Sequence, residues 1–182
     1  IGTPISGRTR SETEGLIGLF LNTVVLRARF TADTSFRRLL AEVREKALGA
    51  YGHQDLPFEQ LVAEMAPERT ASHAPIFQVM FILNNAEAAS QASNVTGLQK
   101  LGTGTSKFDL TFYVSEGEDG LRLLIEYSTD LFESSTIKRM GEHFRQLLGA
   151  LCRDPDLPVA HVSMLGDEER RLLLTEWNET AV

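Results

Sequence analysis

The sequence predicts an α+β fold, a mixed α/β sandwich in which helices pack on a mixed sheet. Three observations predict it. Apolar residues recur at helical spacing in three stretches, at period two in another, and as near-continuous runs elsewhere. The elements follow one another as strand, helix, helix, strand, strand, strand, helix, with no internal repeat. At 182 residues and 42% hydrophobic content, the chain is long enough for one ordinary domain with a core.

Residues 1–14 are rich in Gly, Ser, Thr and charge and read as loop, followed by a short apolar turn, EGLIGLF. Val24, Leu26, Ala28 and Phe30 alternate with Val25, Arg27 and Arg29, which predicts a strand from Val24 onward. Thr34 or Ser35 caps a long helix whose Phe36, Leu39, Leu40, Val43, Ala47, Leu48 and Tyr51 share helical spacing, and Gly52 ends it. Asp55 and Pro57 open a shorter helix carrying Phe58, Leu61, Val62 and Met65, closed by Pro67. PIFQVMFILN (75–84) is apolar nearly throughout, as expected of a central strand covered on both faces. Residues 85–106 lack apolar periodicity, and a loop of that length inside a domain is mobile or functional. KFDLTFYV and LRLLIEYS flank SEGEDG, whose closing Asp119-Gly120 predicts a hairpin turn. After Ser134 a third helix aligns Ile137, Met140, Phe144, Leu147, Leu148 and Leu151. RDPDLPV then breaks the chain with two prolines, and GDEERRLLLTEWNETAV reads as a terminal helix entering a linker.

Composition excludes several function classes. With 18 basic against 25 acidic side chains the net charge is −7, and the basic residues are dispersed, so nucleic acid is not the expected partner. No apolar run reaches the length of a membrane span, and no basic start precedes an apolar stretch. Neither membrane insertion nor secretion is expected, and a cytoplasmic setting is. The single cysteine, Cys152, rules out an internal disulfide framework and, in a helical pattern, reads as a buried structural thiol. Opening on Ile1 rather than methionine, the chain reads as a piece of a longer polypeptide.

Few residues are arranged for chemistry. His53, His73, His143 and His161 stand apart without metal-ligand spacing, so no metal site is expected. No serine sits in a nucleophile elbow, and GTGTSK (102–107) lacks the spacing of a phosphate loop. HQDLPFEQLV (53–62) places His53 two residues before Asp55. A general base needs an imidazole oriented by a partner and aimed into a cleft. Asp55 stands where it orients His53, and equally where it caps the helix that Pro57 pre-organises. Local physics favours the structural role for His53, Asp55 and Pro57.

Several stretches together resemble one family. GLIGLFLNTVVLR (15–27), HQDLPFEQLV (53–62) and RTASHAPIFQVMF (69–81) are similar to the last three core motifs of condensation domains of nonribosomal peptide synthetases. GTPISGRTR, KFDLTFYV, EYSTDLF and LLLTEWNET fit the same family in the same order. Where the family often has Arg-Asp-x-Ser-Arg-Asn-Pro, this chain has Arg69, Thr70, Ala71, Ser72, His73, Ala74 and Pro75. The family's catalytic motif, His-His-x-x-x-Asp-Gly, has no counterpart here. The resemblance therefore implies one chloramphenicol-acetyltransferase-like lobe, the carboxy-terminal one, over 1–165. Residues 166–182 are then a terminal helix and the start of a linker to an adenylation domain. The implied parent reaction forms an amide bond between carrier-bound aminoacyl or peptidyl thioesters, with no catalytic residue in this chain.

Small polar groups on otherwise apolar strands are the candidates for lining a substrate tunnel: Ser6, Asn22, Thr23 and, at the edge of the long loop, Ser106. Asn22 reads equally well as a turn residue satisfying its own backbone. The resemblance assigns a latch crossing to the other lobe to the vicinity of 96–107. The partners it implies are the missing amino-terminal lobe, donor and acceptor carrier proteins, and a downstream adenylation domain. Phosphopantetheine arms come with the carriers, and no cofactor is bound covalently to this chain. A lobe alone exposes an apolar wall, so self-association is expected. Two other readings stay open: a non-catalytic carrier-protein-binding module, and a small acyltransferase of the same superfamily.

Overall fold

Gly2–Ser6, expected to be loop, forms the first strand, β1. The computed structural model describes residues 1–8, 10–65, 74–84, 104–117 and 120–179. The sequence of β1, GTPIS, is weak in strand-forming residues, and two non-local neighbours supply its pairing. β2 (Leu21–Val25) lies antiparallel on one side and β3 (Val79–Asn84) parallel on the other. β2 starts earlier than the alternation suggested and stops at Val25, which pairs with Gly2. Beyond it Leu26 N–H still reaches Ile1 O at 2.9 Å, but Arg27, Ala28, Arg29 and Phe30 are exposed. Their period of two serves no sheet face.

β4 (Leu110–Gly117) runs parallel to β3 in register from Val79↔Leu110 to Asn84↔Ser115, and β5 (Gly120–Tyr127) pairs antiparallel with β4. The sheet order is β2-β1-β3-β4-β5, so β3 is central as expected. It is not covered throughout, because Leu83 is exposed at its far end. The hairpin joins Gly117 to Gly120, whose φ of 117° suits glycine alone, while Asp119 lies outside the described residues. Parallel neighbours need a crossover of roughly a dozen residues or more. The segment 85–109 provides that connection between β3 and β4, and of it 85–103 lie outside the described residues.

β3 also begins later than the apolar run. Phe77 N–H donates to Pro75 O at 2.9 Å around Ile76, whose φ is 72°. That is the geometry of a γ-turn of the rare, strained kind, here at a β-branched residue. Another tight device sits after β1, where the Arg8 guanidinium donates to Thr13 O, Glu14 O and Leu16 O and lies 4.2 Å over the Phe20 ring.

The chain divides into two compact units, Ile1–Arg27 with Arg44–Phe132, and Ala28–Val43 with Glu133–Val182. The first holds the sheet, the end of α1 (Phe36–Gly52) and α2 (Phe58–Met65). Its core comprises Val24, Phe77, Met80, Leu110 and Val114, with Thr111 buried among them in the strands.

The second unit holds the start of α1, α3 (Ser134–Arg153) and α4 (Asp167–Leu174). Ser35 is the cap of α1: its Oγ accepts Arg38 N–H at 3.4 Å, while Thr34 Oγ1 serves the preceding turn by accepting Thr31 N–H. Leu157 O and Pro155 O accept the N–H groups of Phe36 and Arg37, so the proline-rich break completes the helix end. α3 buries Ile137 and Leu151. Cys152, expected to be a buried thiol, is exposed. At 3.6 residues per turn, burying Leu151 turns its neighbour outward. Nε2 of His143 and Oε2 of Glu169, 2.5 Å apart, tie α3 to α4. Among the described residues no helix is long and apolar enough to cross a membrane.

Candidate functional site

A cleft of about 260 Å³ opens in the first unit, and its lining includes Asn22, Thr23, Phe58, Phe77, Lys107 and Phe108. Three rings form one wall. Phe58 and Phe77 have centroids 5.5 Å apart at 53°, and Phe77 and Phe108 5.2 Å apart at 33°, within the range of favourable aromatic pairs. Lys107 Nζ stands 5.5 Å from the Phe108 centroid, placing a cation at the mouth.

Each ring comes from a different segment and is held by a different backbone device. Phe77 follows the γ-turn at Ile76 and is buried against Gly2, where a Cβ would stand 2.4 Å from the ring. Phe108 is fixed at its carbonyl, which accepts the hydroxyl of Ser106. Phe58 begins α2, and its N–H donates to Asn22 Oδ1 at 3.1 Å. The same Asn22 oxygen accepts Thr23 N–H at 2.8 Å, and the Asn22 amide donates to Gln54 O at 2.7 Å and Leu56 O at 2.8 Å.

This arrangement corrects the expected role of Asp55. Pro57 O accepts the N–H groups of Gln60 and Leu61, so Pro57 is the N-cap residue and Phe58 N–H the first donor without a helical partner. Asn22 of β2 satisfies it; the Asp55 carboxylate bonds no helix N–H among the described residues. A cap supplied from 36 residues away leaves no local trace in the sequence. His53, Asp55 and Pro57 are all exposed at the corner between α1 and α2, and among the described residues no bond joins His53 to Asp55.

Of the tunnel candidates, the fold brings Asn22 and Thr23 onto the cleft and sets Ser106 beside it, turned to the Phe108 carbonyl. Ser6 is exposed at the end of β1, opposite Leu21, and does not line it. Residues 96–103 of the latch assignment and His73 lie outside the described residues. Gly2, Phe58, Phe77 and Phe108 lie within the stretches that resemble the family's motifs, but nothing in the sequence singles them out as site residues.

Residues 1–174 match the family described as the condensation domain. The chain is 42% identical over its whole length to chondramide synthase cmdD of Chondromyces crocatus, and 38% identical over 99% of its length to tyrocidine synthase 2 of Brevibacillus parabrevis. It spans only 5% of each of these relatives. Among solved structures, it resembles a four-domain nonribosomal peptide synthetase bound to AMP and glycine, with a TM-score of 0.81 at 21% identity, covering 92% of this chain and 14% of that one. The first condensation domain of the CDA synthetase gives a TM-score of 0.70 at 20% identity, covering 91% of this chain and 37% of that one. The fold is thus the mixed sheet with helices of those domains, and with nearly all of its length matched the chain belongs to the condensation-domain family.

Proposed function

We propose that the chain is the carboxy-terminal lobe of a nonribosomal peptide synthetase condensation domain and that its parent forms amide bonds. The observation that carries this reading is the family match over residues 1–174 in a chain that covers 37% of a solved condensation domain. The sequence contains no His-His-x-x-x-Asp-Gly motif, which accords with a lobe that does not supply the base.

In the parent reaction the amine of an acceptor aminoacyl thioester attacks the carbonyl carbon of a donor thioester. The C–N bond forms, the C–S bond breaks, and the proton lost by nitrogen accompanies the released thiol. This lobe contributes a wall that holds two reactants together, the proximity component of catalysis. Thr23, Ser106 and Asn22 belong to that wall, Ser6 to its rim, and the vicinity of 96–107 to the latch over it. The donor and acceptor carriers dock here and on the missing lobe. The cleft's aromatic wall with the Thr23 hydroxyl and Lys107 beside it fits the alternating methylenes and amides of a phosphopantetheine arm. The downstream partner is an adenylation domain, joined through 166–182.

The test is amide formation between loaded donor and acceptor carriers. The parent condensation region is expected to transfer the donor acyl group to the acceptor, and the chain alone to give no product. Product formation by the chain alone would contradict the lobe assignment.

A further inference from the structure

We propose that Asn22 is a positioning residue, which sets one wall of the cleft through Phe58 and keeps no hydrogen bond for a substrate. The proposal rests on reading the cleft as part of the tunnel wall, and it assigns that wall a cause. A primary amide has two N–H donors and two acceptor lone pairs. Both donors of Asn22 are engaged, by Gln54 O and Leu56 O, and both acceptor sites are filled, by Thr23 N–H and Phe58 N–H. A substrate carbonyl or amine bonding here would have to displace a backbone group and leave it unpaired.

The two halves of the amide act on different things. The donors hold the 54–56 corner against β2, and the oxygen holds the first N–H of α2. Phe58 is the residue whose N–H is held and whose ring is one end of the three-ring wall, 5.5 Å from Phe77. Moving the start of α2 therefore moves the wall. Gln54 and Leu56 contribute only carbonyl oxygens, so their side chains are free to vary, whereas position 22 needs the donor and acceptor set of an asparagine at that reach. The exposed motif around His53 and Asp55 is then the collar on which the clamp closes.

Substituting aspartate separates the halves, because a carboxylate keeps the acceptors and loses the donors. In the full chain, amide exchange is measured across 54–58, with 4-fluorophenylalanine at position 58 reporting the ring by ¹⁹F NMR. Asn22→Asp is expected to leave Phe58 N–H protected while corner protection falls about tenfold at neutral pH, the loss of a hydrogen bond or so. That loss should reverse as pH falls through the carboxylate range, where the protonated acid regains one donor. Asn22→Ala should unprotect Phe58 as well and shift its ¹⁹F resonance, and Gln54→Ala and Leu56→Ala should change neither. In Asn22→Ala, unchanged protection, or a loosened corner with the Phe58 resonance unmoved, would overturn the proposal. If Asn22→Ala fails to fold, the pH-reversible loss in Asn22→Asp still decides it. None of these readouts uses a substrate, so they stand or fall apart from the amide-forming role of the parent.

Discussion

The ring of Phe77 lies against the backbone of Gly2, so close that a Cβ there would stand 2.4 Å from two of its carbons. Gly2 also pairs with Met80 in the parallel ladder, so neither strand can move aside without breaking the sheet. Gly2→Ala is therefore expected to cost about 1–3 kcal/mol, the range for overpacking a core. Denaturant unfolding of the variant checks this. Combining it with Phe77→Leu should recover part of the loss, since the two positions share one contact.

Strain at Ile76 gives an unusual ordering of variants. At an ordinary site glycine is about 0.5–1 kcal/mol worse than alanine. At a φ of 72° a Cβ is penalised instead, by about 1–2 kcal/mol. Ile76→Gly and Ile76→Ala lose the same packing, so the glycine variant should be the more stable of the two in equilibrium unfolding. The reverse order would mean that the γ-turn does not form.

The corner between α1 and α2 predicts a contrast between exposed and clamped residues. His53→Ala and Asp55→Ala should change stability by no more than about 0.5 kcal/mol, as surface substitutions do. Asn22→Ala removes a cap and leaves backbone groups unpaired, at a cost of about 1–3 kcal/mol. Chemical denaturation of the three variants separates them.

At the start of α1, Arg37 Nε and Nη2 meet Asp156 Oδ1 and Oδ2 at 2.7 and 3.0 Å, a bidentate pair. The hydrogen bond from Arg37, and then its charge, hold the Asp156 carboxyl below its ordinary range. The sign follows. Because the folded value is depressed, the stabilisation is present above the unfolded carboxylate pKa and is lost as pH falls through the folded one. Both side chains are about two-thirds exposed, so the effect is small and weakened by salt. NMR titration should show Asp156 returning toward the ordinary range in Arg37→Gln.

Local patterns revealed the helices and the central and hairpin strands, because α1, α3 and β4–β5 carry their period within one segment. What they concealed was non-local. β1 is a strand only because β2 and β3 pair with it, and the alternation after Val25 lacks a partner. The same holds for the site. Asn22 and Thr23 were recognisable as polar residues on an apolar strand, but three of the four bonds of Asn22 span 32 to 36 residues. Nearness in sequence points to Asp55 as the cap of Phe58, and nearness in sequence misleads there. Cys152 shows the limit of helical periodicity, since a one-residue step around α3 separates buried Leu151 from an exposed thiol.

The most direct test concerns the histidine of the corner motif. If His53 is scaffold and the parent's base lies outside this chain, folded His53→Ala in the parent synthetase should form amides between loaded carriers within about twofold of the wild-type rate. Removing a general base costs about 10²–10⁴-fold. A loss of that size in a His53→Ala variant with unchanged stability would contradict the structural role of the motif.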